Sequence, residues 1–254
     1  MTLKVLLVTS RVTLVPDNYL GFLQGTLTHA GALVAGLVLL DNVKPPLFLQ
    51  AAGLLAAQAF QLGTTLVANM AATFPKSRDP RALLFRQKNL PVVFTNNMSA
   101  PVILDFIAKN KIDVVINART RDIYRAATLA APRLGCLNIH HGLLPEERGV
   151  NCDLFALAEN RPAGFSIHVM TPKIDDGRIL LREEVPYEKT KNYLALQQRS
   201  SLAEAEALAN VLHQIDKLGK LPEGRPNSAA DIKFRRVKPT LETIRMFKNQ
   251  GVKL

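Results

Sequence analysis

The chain has 254 residues, of which 48% are apolar and 21% are charged. This is the composition of an ordinary globular protein with enough chain to bury one large core. Its two cysteines, Cys136 and Cys152, are too few for a disulfide scaffold and lack the spacing of a metal site. The net charge of +11 favours anionic partners such as phosphorylated or polyglutamated cofactors, RNA or a membrane surface, without choosing among them.

Two segments bear on localisation. The first residues, MTLKVLLVTSRVTLVP, lack the layout of a signal peptide and are typical of a first strand, so we expect a cytoplasmic protein. The segment Leu47 to Ala72 is apolar over a length that would cross a bilayer, but it carries three glutamines and follows Pro45-Pro46. We therefore interpret it as one long helix that packs in an α/β layer or forms a homodimer contact, and not as a membrane span.

Strand and helix patterns alternate along the first 140 residues. Strands are predicted at residues 4–10, 32–41, 90–97, 112–118 and 135–140, and the main helices between them at 17–31, 47–72, 79–89, 100–111 and 122–134. Such alternation is typical of parallel βαβ units. The fold class predicted is therefore α/β, with a doubly wound, mostly parallel sheet covered by helices on both faces. Ligands of such sheets bind beyond the carboxyl ends of the strands.

The second half continues with a short helix and a strand pair. Residues 163–170 and 177–187 are predicted to pair, and residues 193–219 to form a helix broken near Ser200-Ser201. We expect a main domain of residues 1–221 and a C-terminal extension, residues 222–254, that packs on it and ends in a short helix from about Thr240. The extension holds a basic cluster, KFRRVKP, for which a nucleic-acid partner is the less favoured interpretation.

The stretch LNIHHGLLPEERG carries the first chemical signal. Side chains alternate along a strand, so Asn138 and His140 share one face while Ile139 and His141 face the other way. An amide and an imidazole side by side at a strand end can donate hydrogen bonds to one carbonyl oxygen. The pattern predicts a site that stabilises an oxyanion.

The second signal is HVMTPKIDDGRIL, which follows about thirty residues later. Here His168 ends a strand and Asp175-Asp176-Gly177 form the turn before the next one. An aspartate on that turn can approach His140, raise the pKa of its imidazole and hold a proton-carrying water.

Together these motifs resemble the formyltransferase family that uses 10-formyltetrahydrofolate. The family pattern runs Asn-x-His, Leu-Leu-Pro, a basic residue with Gly, a strand bearing His, then Asp-x-Gly and an apolar pair. The matching positions are Asn138, His140, Leu143-Leu144-Pro145, Arg148-Gly149, His168, Asp175 and Gly177. The resemblance is close over residues 112–181 and implies a Rossmann-like formyltransferase fold.

The resemblance also implies roles. Asn138 and His140 hold the formyl oxygen while an acceptor amine attacks, and Asp175 positions His140 and assists proton transfer. In the family the pterin ring lies between two stretches that correspond here to residues 117–124 and 171–177. The cofactor-binding residues implied for the donor, 10-formyltetrahydrofolate, are Asn117, Arg119, Arg121, Ile174 and Asp176.

Several of these residues have simpler explanations that stay open. His141 is either a loop residue or a substrate-binding one, and His168 either a core histidine or a support for the site. Arg148 is counted with this supporting set. For Asp176 a turn residue is the favoured explanation, because Asp175 occupies the catalytic place of the family. Arg119 and Arg121 either meet an anion, such as the folate glutamate tail or an anionic acceptor, or lie in solvent at the sheet edge.

The acceptor is not readable from the resemblance. His141-Gly142 replaces the Pro-Ser that family members often carry, which is similar to the deformylase branch, where water replaces the amine. The phosphate loop of glycinamide ribonucleotide enzymes is absent, and too few residues follow Leu221 for the C-terminal domain of transfer-RNA enzymes. We expect transfer to a small amine, with an anionic and an uncharged acceptor both left open. The alternatives are hydrolysis of the same donor and a non-catalytic member that binds RNA or protein.

Overall fold

The computed structural model describes residues 2–254. Its strands are β1 (Val5–Ser10), β2 (Val34–Leu40), β3 (Val92–Thr95), β4 (Val114–Ala118), β5 (Cys136–His140), β6 (Glu147–Gly149), β7 (Gly164–Val169), β8 (Ile179–Glu184) and β9 (Phe234–Arg236). Seven of them form one sheet in the order β3-β2-β1-β4-β5-β7-β8. The first five in this order are parallel, and β7 and β8 are antiparallel to their neighbours. The predicted doubly wound, mostly parallel sheet is confirmed.

Within residues 2–254, nine α-helices surround the sheet. They are α1 (Leu20–Ala30), α2 (Pro45–Ala56), α3 (Phe60–Ala72), α4 (Pro80–Gln87), α5 (Pro101–Asn110), α6 (Ala126–Ala130), α7 (Cys152–Ala158), α8 (Tyr193–Leu218) and α9 (Leu241–Asn249). Alternate residues along the strands point into two separate hydrophobic cores. Leu7 and Ile116 lie in a large core with α1 and α8, whereas Leu6 and Val115 lie in a smaller one with α5. Both faces of the sheet are therefore buried, as parallel strands require.

The apolar segment from Leu47 differs from its prediction. The expected single helix is wrong, because the chain reverses at Ala57–Ala59 and α2 packs against α3. Gln58 takes a left-handed conformation, with φ 57°, at this reversal. Among residues 2–254, every helix is too short or too polar to cross a lipid bilayer.

Two other helix predictions are corrected. The predicted helix over residues 122–134 shrinks to the five residues of α6, because Tyr124 is buried and its hydroxyl donates to the side-chain oxygen of Asn117 at 3.2 Å. The predicted break near Ser200-Ser201 is absent from α8. Ser201 donates its hydroxyl to the Gln197 carbonyl at 2.9 Å, which satisfies the side chain inside the helix.

The residues after Leu221 contribute to both the core and a second sheet. Strand β9 pairs in parallel with β6, the strand that follows the Leu-Leu-Pro motif. Helix α9 buries Ile244 and Phe247 in the large core. In the basic cluster, Arg236 stacks on Phe155 and forms an ion pair with Glu159, so its charge is engaged within the fold.

Candidate active site

The ends of three neighbouring strands bring three polar side chains into one row. The sheet register pairs Asn117 on β4 with Asn138 on β5, and Asn138 with His168 on β7. Asn117 donates its side-chain amide to Asn138 Oδ1 at 2.7 Å, and Asn138 Nδ2 lies 3.0 Å from His168 Nε2. His168 Nδ1 donates to the Val169 carbonyl at 2.9 Å, so in the neutral ring Nε2 accepts from Asn138. The row fixes the orientation of the Asn138 amide and leaves one of its two N–H groups for a ligand.

Asp175 stands over this row on the turn between β7 and β8. Its Oδ1 lies 3.5 Å from His140 Nδ1 and 3.6 Å from His168 Nε2, while Oδ2 accepts from the Gly149 backbone N–H at 3.3 Å. Burial opposes ionisation, but the charges of the two histidines and these hydrogen bonds lower the pKa of Asp175 to about 2. The group is therefore a buried carboxylate at neutral pH.

His140 is held by a hydrogen bond at one ring nitrogen. Its Nε2 donates to the Glu147 carbonyl at 2.9 Å, which leaves Nδ1 facing Asp175. We expected the aspartate to raise the pKa of His140. Instead the pKa is lowered, because burial of the ring outweighs the attraction of Asp175. The 3.5 Å separation exceeds an ordinary hydrogen bond, so Nδ1 remains able to contact a substrate atom.

A glycine makes room for this imidazole. A Cβ at Gly142 would lie 2.8 Å from His140 Nε2 and 2.7 Å from Cys152 Cβ. A side chain after the two histidines would thus force the His140 ring or Cys152 to move.

A set of residues behind Asp175 fastens its turn. Arg148 Nη1 donates to Asp176 Oδ1 at 2.8 Å, and Arg148 Nη2 donates to the Asn227 carbonyl and side-chain oxygens at 3.1 Å each. The Asn227 amide in turn donates to the carbonyls of Asp175 and Gly177 at 2.9 Å. A Cβ at Gly177 would lie 1.9 Å from the Val169 carbonyl oxygen, so only glycine fits there. Arg148 therefore connects the Asp175 turn to Asn227 and Asp176.

The expected cofactor-binding role of Asp176 is corrected by this arrangement. Its carboxylate faces Arg148, and the hydrogen bond from that guanidinium lowers the pKa of Asp176. Asn227 was missed by the sequence reasoning. Nothing in the sequence near Asn227 indicates that it reaches a turn 50 residues away.

The second histidine lies on the other side of β5, as the alternation of strand residues predicts. His141 Nε2 is 3.1 Å from Glu204 Oε1 on α8, and Arg119 Nη2 is 3.4 Å from the same oxygen. Tyr19 donates its hydroxyl to the other oxygen of Glu204. Glu204 is fully buried, and although burial opposes ionisation, the charges of His141 and Arg119 lower its pKa. Glu204 was also missed, because a glutamate within an amphipathic helix ordinarily faces solvent.

These groups surround a cleft of about 830 Å³ at the carboxyl ends of the parallel strands. Of the residues predicted from the sequence, those that line it are Asn117, Arg119, Arg121, Asn138, His140, His141, His168, Ile174 and Asp175. Arg121 and Ile174 are exposed at its rim, whereas Arg119 is turned inward to Glu204 and not toward solvent. The cleft can hold a molecule of cofactor size beside the three proposed catalytic groups.

Comparison with known proteins assigns the chain to a family. Residues 50–212 match the family described as formyl transferase, which is more than half of the chain. The chain belongs to the formyl transferase family.

Individual relatives agree with this assignment. A methionyl-tRNA formyltransferase of Geobacillus sp. (strain WCH70) is 35% identical over 106 residues, which are 41% of this chain and 33% of that protein. The chain spans less than half the length of the curated relatives it matches.

Solved structures show the same fold. The glycinamide ribonucleotide transformylase 1 of Geobacillus kaustophilus superposes with a TM-score of 0.60 at 16% identity, covering 85% of this chain and 100% of that one. A sugar N-formyltransferase from Shewanella sp FDAARGOS_354 has a TM-score of 0.53 at 18% identity, covering 96% and 86%. At such identities the likeness concerns the fold alone.

Proposed function

We propose that the protein transfers a formyl group from 10-formyltetrahydrofolate to an amine. The observation that carries this proposal is the position of the Asp175 carboxylate, within 3.6 Å of both His140 and His168 in the cleft that Asn138 also lines. Membership of the formyl transferase family supports it.

The first part of the reaction is attack at the formyl carbon. The acceptor nitrogen forms a bond to that carbon, and charge develops on the formyl oxygen. The free N–H of Asn138 Nδ2 stands where it can donate to this oxygen. His140 can join it only once Nδ1 is protonated, because the neutral ring carries its proton on Nε2, which donates to the Glu147 carbonyl. Preorganised donors of this kind contribute about 10²–10³ in kcat when one is removed.

The second part is proton movement. The attacking amine must lose a proton, and the folate nitrogen must gain one as its bond to the formyl carbon breaks. Asp175 is ionised and buried, so it accepts and relays that proton, directly or through a water, with His140 beside it.

The donor fits the same cleft. The stretches 117–124 and 171–177, which the family resemblance assigns to the pterin, supply much of its lining. Of the cationic residues that line it, Arg121, Lys173 and Lys238 suit the glutamate tail of a folate. Burial and the neighbouring charge of Arg121 lower the pKa of Lys238, as expected for cations gathered without an anion.

The test supplies 10-formyltetrahydrofolate and follows release of tetrahydrofolate with and without amine acceptors. Asn138→Ala removes the proposed oxyanion donor, and Asn210→Ala on the exposed face of α8 is the matched control. We expect release that depends on an amine, and that is lost in the Asn138 variant alone.

Two other results would replace this proposal. Release without any amine, accompanied by formate, would identify a hydrolase of the same donor. If the protein neither binds the donor nor releases tetrahydrofolate from it, the protein is a non-catalytic member of the family.

A further inference from the structure

The helical hairpin formed by α2 and α3 has no charged side chain. Residues 45–75 contain neither an acid nor a base, and the residues just outside them are Lys44 and Lys76. A helix on the surface of a globular protein ordinarily carries charged and polar residues on its outer side. The composition of this hairpin therefore calls for a partner other than water.

The solvent side of the hairpin is apolar, and we call it the outer face. Phe48 and Leu49 on α2 are 53% and 73% exposed, and Phe60, Val67 and Phe74 are 45–58% exposed. Phe60 and Val67 are seven residues apart, so they share one side of α3. Phe48, Val67 and Phe74 border one open groove that only apolar side chains line. A contiguous apolar surface of this kind marks an interaction site.

Packing holds the outer face in a fixed arrangement. A Cβ at Gly63 on α3 would lie 2.6 Å from Leu55 Cδ2 on α2, so the glycine lets the two helices pack closely. On the opposite side of the hairpin, Leu54, Leu62 and Leu66 are buried in the large core. The exposed side chains are thus left over after the core has been filled.

Cations lie at both ends of the outer face. Lys44 precedes α2 and Arg78 follows α3, and both are exposed. At the other end, Lys248 Nζ lies 3.5 Å from Gln58 Oε1 in the turn between the helices. Helix α9, which carries Lys248, has one acid, Glu242, and two bases. The surroundings of the outer face are therefore positively charged.

The acids that flank the hairpin in sequence are already engaged. Asp41 accepts from Arg11 at 3.3 Å and pairs with Lys76 at 2.8 Å. Asp79 is buried and pairs with Arg81 at 2.8 Å. An anionic partner would therefore meet an excess of positive charge. A second copy of the chain, with its own net charge of +11, would bring like charges together.

We propose that the outer face docks on an anionic lipid surface. Phe48, Leu49 and Phe60 enter the boundary between headgroups and acyl chains, and the flanking cations contact the lipid phosphates. Interfacial helices bind in this way, with their apolar side buried about 5–10 Å and anionic lipid adding attraction. Leu47 and Gln50 on α2 line the cleft, so docking places the cleft near the membrane. The inference goes beyond the proposed reaction and does not depend on it.

Flotation of the full chain with lipid vesicles tests this proposal. Vesicles of phosphatidylcholine alone are compared with vesicles of equal parts phosphatidylcholine and phosphatidylglycerol, at low and at high salt. We expect binding to the anionic vesicles to be stronger by about tenfold or more, because each cation near such a surface contributes about fivefold. High salt should weaken the binding, since it screens exposed charges.

Substitutions with matched controls locate the contact. Leu49→Ser and Phe60→Ser each remove an exposed apolar side chain and should weaken binding to anionic vesicles about tenfold. Val102→Ser removes a comparably exposed apolar side chain from α5, on the other face of the sheet, and should leave binding unchanged. Arg78→Gln should weaken binding about fivefold, whereas Lys109→Gln on α5 should not.

Sedimentation velocity of the same proteins tests the competing occupant, a second copy of the chain. We expect Leu49→Ser and Phe60→Ser to sediment as the wild type does. Self-association that either substitution abolishes would overturn the proposal, because the outer face would then belong to a protein interface. Equal binding to both kinds of vesicle, or unchanged binding of folded Leu49 and Phe60 variants to anionic vesicles, would overturn it as well.

Discussion

Asn227 donates its side-chain amide to the backbone carbonyl of Asp175 at 2.9 Å, from a position 52 residues further along the chain. The same amide donates to Gly177, and its oxygen accepts from Arg148. The turn that carries the buried carboxylate is thus held from outside the main sheet. Its geometry depends on the C-terminal extension as well as on its own sequence.

The substitution Asn227→Asp tests this dependence. It keeps the size of the side chain and the oxygen that accepts from Arg148, but it cannot donate to the two carbonyls. We expect kcat to fall about tenfold, since unsatisfied buried groups shift the turn at a cost of about 1–3 kcal/mol. Steady-state formyl transfer measures this. Asn249→Asp, on exposed α9 surface, is the control, and wild-type activity in the Asn227 variant would contradict the role.

The proton-transfer role of Asp175 predicts a kinetic signature. Asp175→Asn should lower kcat about 10²–10⁴-fold, because an amide cannot accept the proton. Binding of the donor should change little, since the shape of the turn is kept. Single-turnover kinetics and equilibrium binding separate the two effects. Asp176→Asn should retain most activity; equal losses in both variants would assign the effect to the turn and not to the carboxylate.

The lowered pKa of Asp175 predicts a pH-dependent stability. With a folded pKa of about 2 against 3.8, the carboxylate stabilises the fold fully above pH 4 and loses this effect as pH falls toward 2. The contribution is about 2 kcal/mol. Urea unfolding of the wild type and Asp175→Asn at pH 6, 4 and 2.5 measures it. The difference in the free energy of unfolding between the two proteins should shrink as the pH falls from 6 to 2.5. A constant difference would contradict the lowered pKa of Asp175.

The burial of Glu204 predicts a large effect on stability. Glu204→Gln removes the charge that pairs with Arg119 and lies against His141, leaving a buried guanidinium without its partner. Breaking such a pair costs about 3–5 kcal/mol. The midpoint of urea unfolding should fall accordingly, whereas Glu206→Gln, exposed on the same helix, should leave it unchanged. A loss of less than about 1 kcal/mol in the free energy of unfolding of the Glu204 variant would contradict this prediction.

Local patterns predicted much of this architecture. The apolar runs that became β1, β2 and β4 are buried on both faces, so their composition alone marks parallel strands. The period of two in β5 placed His140 and His141 on opposite sides, where they meet Asp175 and Glu204. The family and the fold class inferred from the motifs are both confirmed.

What the sequence did not reveal depends on distant contacts. Glu204 has the helix spacing of the buried face of α8, in line with Leu196 and Leu208, but a glutamate at such a position is not recognisable as buried until its partners His141 and Arg119 are seen. The lowered pKa of His140 depends on how completely its ring is enclosed, which no local pattern records. The reversal at Gln58 was missed because residues 54–62 contain neither glycine nor proline, the residues that usually mark a turn.

The pairing of β6 with β9 has a consequence for biosynthesis. Ribosomes release a chain from its N-terminus, and domains begin to fold as they emerge. Strand β5, which holds Asn138 and His140, emerges long before residues 227–236 leave the exit tunnel. The hydrogen bonds between Arg148 and Asn227 can form only after those residues have emerged. A nascent chain would therefore carry a formed sheet with an unfastened Asp175 turn until residues 227–236 have emerged.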